Sequence, residues 1–274
     1  MPELPEVQTV VNDLVASGLI GQTITDVQIR WPGSIARLDP QTFRHTLIGR
    51  RIERLSRRAK WIVWTMDGGL TMLTHLRMTG RFHLAVPGAA YGKHDHVAFT
   101  IDGKRQLRYH DTRKFGRFYL PESTAMLDRL GPEPLSRQFT ARKFEKRLAT
   151  HRRQLKPLLL DQHFLAGLGN IYVDEALWDA GLHPTRASDG LTDTEVRRLH
   201  RAIRKVLRRG LRNLGTTLGT GETTFYSVAG HQGRNRDELK VFRRTGEPCP
   251  RCRGIITRLV VGQRSTHICE VCQK

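Results

Sequence analysis

The chain has 274 residues, enough for two domains that each bury a core of their own. It carries 46 Lys and Arg against 26 Asp and Glu, a formal net charge of +20 that calls for a polyanionic partner, either nucleic acid or an anionic membrane surface. No apolar run approaches the roughly 18 residues of a membrane span. The opening Met1-Pro2-Glu3-Leu4-Pro5-Glu6 is acidic where a secretory signal would be basic. A soluble, cytoplasmic, nucleic-acid-directed protein is therefore expected, and in that compartment its four cysteines favour a metal over disulfides.

Pro5 can open a helix because its missing N–H is no loss there. Val7, Val10, Val11 and Leu14 follow at helical spacing, with Gly18 as the stop. Residues 2–4 thus lie just ahead of a helix N-terminus. Alternating runs at Ile24–Ile29, Trp61–Thr65, Leu70–His75, His96–Ile101 and Gln106–Tyr109 read as strands, with turns such as Asp67-Gly68-Gly69 and Asp102-Gly103 between them. Strands so spaced, without intervening helices, predict an antiparallel sandwich or barrel. Gly131-Pro132-Glu133-Pro134 reads as a linker, and the chain beyond it as helical.

Helices are expected over Phe139–Leu148, from Lys156, and over Ile171–Ala180 up to Gly181. Thr192–Glu195 has the form of a capping box, opening a helix whose buried stripe is Val196, Leu199, Ile203, Val206 and Leu207. Its other face carries Arg197, Arg198, Arg201, Arg204, Lys205, Arg208 and Arg209, read as like charges without acidic partners. That face is either solvated or turned to a polyanion. Residues 215–238 lack periodicity and read as a mobile loop, a binding loop or a linker.

Cys249-x2-Cys252 and Cys269-x2-Cys272 have the spacing of two zinc knuckles, and four thiolates leave a tetrahedral Zn²⁺ no open position, so the metal would be structural. Between the pairs, Ile255–Val261 and Ser265–Ile268 read as a hairpin turning through Gly262-Gln263-Arg264, with Arg264 at its tip. Gly167-Leu168-Gly169-Asn170 feeds a helix, either as a turn capped by Asn or as a phosphate site at a helix N-terminus. His110-Asp111-Thr112-Arg113-Lys114-Phe115-Gly116 sets cations beside an aromatic. Phe115 and Met78 are core residues by type, but in exposed loops they suit a wedge between base pairs. Removal of Met1 would expose Pro2 as a secondary amine. Such an amine is partly neutral near pH 7.7–8 and can form an iminium with an aldehyde-equivalent carbon. Glu3 beside it can move protons.

In this order, these features resemble the formamidopyrimidine-DNA glycosylase family along nearly the whole chain. The motifs are Met-Pro-Glu-Leu-Pro-Glu at the terminus, Arg57-Arg58-Ala59-Lys60, His75-Leu76-Arg77-Met78-Thr79-Gly80, Lys93-His94-Asp95-His96-Val97, Asp111–Gly116, Gly167–Tyr172 and the four cysteines. The resemblance implies an α+β fold of two domains. The first is an N-terminal antiparallel β-sandwich with an N-terminal helix, and the second a helical helix–two-turn–helix domain with a four-Cys zinc β-hairpin. The implied boundaries are 1–130 for the catalytic sandwich, 131–238 for the DNA-binding domain with a lesion-capping loop, and 239–274 for the zinc ribbon.

The implied activity is bifunctional. Pro2 attacks C1′ of a damaged nucleotide, Glu3 is the acid, Lys60 assists β-elimination and Arg264 the next elimination. His75, His94, His151, Lys156 and Asn170 contact the DNA backbone, Glu6 the lesion, and Met78, Arg113 and Phe115 fill the hole left by the flipped base. One structural Zn²⁺, a damaged double-stranded DNA partner, a monomeric state and a cytoplasmic, nucleoid-associated location complete the implied picture, with 8-oxoguanine and formamidopyrimidines as substrates. Two rivals stand beside it. One is an endonuclease VIII-like glycosylase for oxidised pyrimidines, against which Leu4 and the complete wedge argue; the other is a zinc-ribbon DNA-binding protein without activity. This chain departs from the family pattern at Arg77, where Gly is common, at Thr112 and Lys114 in place of Pro and Arg, and at His151 in place of a lysine.

Overall fold

A computed structural model describes residues 1–219 and 225–274, and these divide into two compact units, Met1–Leu127 with Asn213–Arg236, and Asp128–Arg212 with Asp237–Lys274. The change of unit at 127/128 falls close to the expected linker. The segment 213–236, expected with the helical domain, belongs to the first unit. Among the described residues no helix is long and apolar enough to cross a membrane.

The first unit opens with α1 (Leu4–Ala16), which turns Val7, Val10, Val11 and Leu14 inward. Two four-stranded antiparallel sheets follow. One has the order β1 (Ile24–Ile29), β6 (Asp95–Ile101), β7 (Arg105–His110), β5 (Arg81–Ala85). The other runs β2 (Ile52–Arg58), β3 (Trp61–Met66), β4 (Thr71–His75), β8 (Arg117–Tyr119). Trp64 on one sheet meets Phe82 and Phe99 on the other at 5.8 and 6.4 Å between ring centroids, so the two inner faces share one core with the buried side of α1. This is the expected sandwich, with three strands (β2, β5, β8) and one helix beyond those predicted. The helix, α2 (Pro40–Leu47), has its own start signal: Asp39 caps it, accepting from Thr42 N–H at 2.9 Å, and Pro40 follows.

The 213–236 segment is tied at its neck rather than loose along its length. Asn235 Nδ2 donates to Thr216 Oγ1 at 3.0 Å, Gly233 N–H to Thr217 Oγ1 at 2.8 Å, and Thr217 Oγ1 to the Phe225 carbonyl at 2.7 Å. Residues 220–224 of the expected 215–238 loop lie outside the described residues.

The short α3 (Ala125–Asp128) leads to α4 (Ala141–Ala149), α5 (Leu155–Leu160), α6 (Asn170–Ala180) and α7 (Asp193–Arg212). Thr140 caps α4, so Phe139 stands just outside the helix expected to include it, its ring 5.2 Å from Phe144. Gly181 ends α6 in the left-handed region (φ 66°) that glycine adopts without strain. The capping box of α7 is present, with Thr192 N–H on Glu195 Oε2 at 2.9 Å and Glu195 N–H on Thr192 Oγ1 at 3.3 Å.

The expected stripe of α7 is buried, but its basic face is not the unpaired row the sequence suggested. Lys205 pairs with Asp179 at 2.6 Å and Arg209 with Glu175 at 2.9 Å, while Arg204 donates to the Pro134 and Ser136 carbonyls. These partners sit outside the helix, where spacing along it could not show them. The last element is the hairpin β9 (Thr257–Val261) and β10 (Arg264–Ile268). Gly262 and Gln263, at φ 55° and 60°, make its two-residue turn, so Arg264 is the first residue of the returning strand rather than part of the turn.

Candidate functional site

In the first unit the N-terminus is fixed by α1 itself. Pro2 is buried and Met1 half exposed. Glu3 is the N-cap of α1, and it forms a capping box with Glu6: Glu3 N–H donates to Glu6 Oε2 at 2.9 Å, and the Glu3 carboxylate in turn accepts the Glu6 N–H. The second Glu6 oxygen, Oε1, accepts Thr216 N–H at 2.7 Å. A single buried carboxylate thus ties the start of the chain to the neck of the 213–236 segment.

Lys60 follows Ala59, whose φ of 53° turns β2 into β3, and Arg57 Nη1 holds the Ala59 carbonyl at 2.8 Å. Lys60 is buried, and the next residue, Trp61, pairs with His75 across the sheet and sets its indole edge-on to the imidazole at 4.8 Å. Burial, with the nearby charges of Arg77 and Lys60, pushes His75 down to about 3, so the ring is neutral at physiological pH. Its Nδ1 accepts Arg77 N–H at 3.0 Å, which leaves the proton on Nε2 and makes His75 an uncharged donor.

Met78, Arg113 and Phe115, read from separate stretches of sequence, come together. Arg113 Nη1 lies 3.0 Å from Met78 Sδ and its guanidinium 4.7 Å over the Phe115 ring. Met78 is 40% exposed and Phe115 46%, so neither belongs to the core that its residue type suggests. Gly116 is required for close approach: a Cβ there would lie 1.6 Å from the Tyr109 hydroxyl. His94 stands behind this loop, its carbonyl accepting Asp111 N–H at 3.0 Å. Thr112 and Lys114 also find places: the Thr112 hydroxyl is buried without a partner, and the Lys114 ammonium lies 5.4 Å over the Trp31 ring.

In the second unit, Asn170 is the first residue of α6 and Lys156 lies on α5. Lys156 Nζ and Asn170 Nδ2 both donate to the Ser265 carbonyl, at 2.8 and 2.9 Å, one residue beyond the exposed Arg264. Lys156 also pairs with Asp174 at 2.5 Å and is wholly buried. Its ammonium, expected to grip a phosphate, is here held by a buried carboxylate. Asp174 completes the network by accepting His267 N–H at 3.0 Å. His151 follows α4, its Nδ1 2.8 Å from the Arg147 carbonyl and its ring edge-on to Phe164.

The four cysteine Sγ atoms lie within 4.8 Å of one another, with Cys249–Cys272 at 3.9 Å and Cys252–Cys269 at 3.3 Å. A tetrahedron with Zn–S bonds of ~2.3 Å has edges of about 3.8 Å, so the group fits Zn²⁺. Burial raises the Cys249 thiol, but N–H groups of Cys252 and Arg251 and the Trp178 indole outweigh it and bring it to about 6. Burial and the neighbouring thiols push Cys272 up to about 12, a proton that a metal must displace. The site takes one structural zinc.

Sequence reasoning missed the carboxylates behind these groups. Asp111 sits within a quoted motif but was given no role, and Asp174 and Glu175 lie in a stretch read only as helix. Their one visible signal is an acidic residue among apolar neighbours at positions a helix or strand buries.

The chain matches family models described as the formamidopyrimidine-DNA glycosylase N-terminal domain over residues 1–118, the H2TH domain of the same glycosylase over 130–221, and a zinc finger found in FPG and IleRS over 246–274. It is 45% identical to a formamidopyrimidine-DNA glycosylase of Protochlamydia amoebophila, covering all of both chains. With the same-named protein of Chloroflexus aurantiacus the identity is 44%, covering all of this chain and 98% of the relative. Among solved structures it resembles a Lactococcus lactis FPG mutant in complex with Fapy-dG-containing DNA, with a TM-score of 0.92 and 34% identity over the full length of both. It likewise resembles Lactococcus lactis Fpg in complex with DNA containing an abasic site, with a TM-score of 0.91 and 34% identity over 99% of each chain.

Proposed function

The chain belongs to the formamidopyrimidine-DNA glycosylase family, and from that premise we propose that it removes oxidised purines, 8-oxoguanine and formamidopyrimidines, from duplex DNA and then cuts the strand. The observation that carries this reading is the N-terminus. Pro2 is buried and directly precedes Glu3, which is locked with Glu6 in a reciprocal cap, so a nucleophile at the chain end is anchored by the residue next to it.

With Met1 removed, the Pro2 nitrogen attacks C1′. The glycosidic bond breaks, and Glu3 supplies the proton that the opening sugar needs. The resulting iminium draws electrons from the neighbouring C–H bond, so the 3′ phosphate leaves by β-elimination and the 5′ phosphate by a second elimination. Lys60 serves the first elimination and Arg264 the second. Neutral His75 offers an Nε2–H to a phosphate oxygen, and His94, His151 and Asn170 add backbone contacts. The buried Lys156 acts through Ser265, holding the strand that carries Arg264. Glu6 is the proposed lesion contact, and Met78, Arg113 and Phe115 fill the gap left by the everted base. The zinc supplies no step; it pins the hairpin on which Arg264 stands. Residues 1–130, 131–238 and 239–274 are the proposed catalytic, DNA-binding and ribbon segments of a cytoplasmic, nucleoid-associated monomer.

Borohydride trapping on a duplex with 8-oxoguanine opposite cytosine tests the reading. A covalent adduct at residue 2, lost in Pro2→Gly, is expected. An adduct only on an oxidised-pyrimidine duplex would move the substrate class. None on either, nor on an abasic site, would leave a DNA-binding module.

A further inference from the structure

The three wedge residues come from two loops, joined within the trio only by the exposed Arg113–Met78 contact, which alone is too weak and solvated to hold the loops in register without DNA. The answer lies one layer down, at Asp111, which is fully buried. Its Oδ1 accepts from the Thr79 hydroxyl and from Arg113 N–H, the latter at 3.2 Å. Its Oδ2 accepts Gly116 N–H at 2.8 Å and the Tyr109 hydroxyl at 3.2 Å. Its carbonyl takes His96 Nε2 at 2.8 Å and Lys114 N–H at 3.3 Å. Thr79 closes the knot, because its Oγ1 also accepts Arg113 N–H at 3.2 Å. Thr79 belongs to the Met78 turn, and Arg113 and Gly116 bracket Phe115, so one carboxylate and one hydroxyl staple the two loops together.

We propose that Asp111, acting with Thr79, is a positioning residue that builds the Met78–Arg113–Phe115 wedge before DNA arrives; this rests on the wedge reading of that trio. Exposed apolar side chains on two unlinked turns would fold back onto the surface and would need reordering at each encounter, which slows insertion. Stapled turns meet the duplex already spread. Asp111 touches no reacting atom, so its loss should be felt where a stacked, paired base must be extruded and much less where the base is already gone.

The test compares two single-turnover rates in one duplex context: excision of 8-oxoguanine paired with cytosine, and cleavage at a preformed abasic site. Thr79→Val keeps the volume and removes the hydroxyl. It should slow excision about tenfold, the worth of one buried hydrogen bond, and abasic cleavage by no more than about twofold. Thr79→Ser, which keeps the hydroxyl, should restore excision to within about twofold of the parent. Asp111→Asn, which sets an amide donor against N–H donors, should show a larger split of the same kind. Phe115→Ala is the control for the wedge itself. A split in Phe115→Ala with none in Thr79→Val, or equal slowing of both rates by Thr79→Val, overturns the proposal and leaves the wedge reading standing. No split in Phe115→Ala overturns the wedge reading and the proposal with it.

Discussion

At the scale of single residues, charge and backbone geometry meet at the turn after β4. Arg77 holds φ 55°, a left-handed conformation that costs a side-chain-bearing residue about 1 kcal/mol or more and glycine nothing. That is a physical reason for glycine to be common there in the family, and it turns a departure into a prediction. Arg77→Gly should raise stability by about 0.5–1 kcal/mol in urea unfolding, the relieved strain exceeding the added freedom of the unfolded chain. The same arginine helps keep His75 neutral, second to burial. Since the folded-state pKa of His75 is about 3 against 6.5 when exposed, the unfolded chain binds a proton between those values that the folded chain refuses. Stability should therefore fall as pH drops from 6.5 towards 3, by several kcal/mol in all. His75→Gln should show a shallower decline than the parent over that window; parallel curves would mean that His75 is not buried neutral.

At the scale of elements, legibility followed how much of an element's pattern is local. β3 was read to within one residue because its side chains alternate in and out, and β1 to its end residues although its burial repeats every third position beside a register shift. β2 was invisible: it is an edge strand with a register shift after Ile52, its exposed positions carry Glu53 and Arg54 and its half-buried ones Arg57 and Arg58, so only Ile52 and Leu55 mark an inner face. β8 has three residues, too few for any period, and exists because β4 offers it an edge. The candidate site divides the same way. Pro2, Glu3 and the cysteines declare themselves by type and spacing, whereas Asp174 and Glu175 work through partners tens of residues away, and Asp111 ties its own loop to Thr79 on another.

Glu175 shows the consequence. Its buried carboxylate accepts N–H groups from Lys240, Val241 and Phe242 at 2.9–3.1 Å and pairs with Arg209, so it roots the ribbon segment on α6 and α7. Glu175→Ala leaves those donors and a buried guanidinium unmatched, and a loss of about 3 kcal/mol or more is expected in thermal or urea unfolding. A change below 1 kcal/mol would mean that water replaces the carboxylate.

At the scale of the whole molecule, the +20 charge is only partly consumed internally, as the two ion pairs on the seven-residue basic face of α7 illustrate. The remainder sets how the protein meets DNA. If six or more phosphates are neutralised, affinity for undamaged duplex should fall about 10³-fold or more between 50 and 200 mM salt. A fluorescence anisotropy titration checks this, and a flat salt dependence would assign the basic surface to solubility alone.

The first unit is built from two stretches of chain, with the whole helical stretch 128–212 between them. A ribosome emits these in order, so the sandwich can condense early, yet Glu6 must wait for Thr216, made 210 residues later. Until then the terminus that bears Pro2 has no neck segment beside it. Synthesis itself therefore delays completion of the first unit until the helical stretch has been made, and a nascent chain halted within that stretch would display a folded but unfinished enzyme.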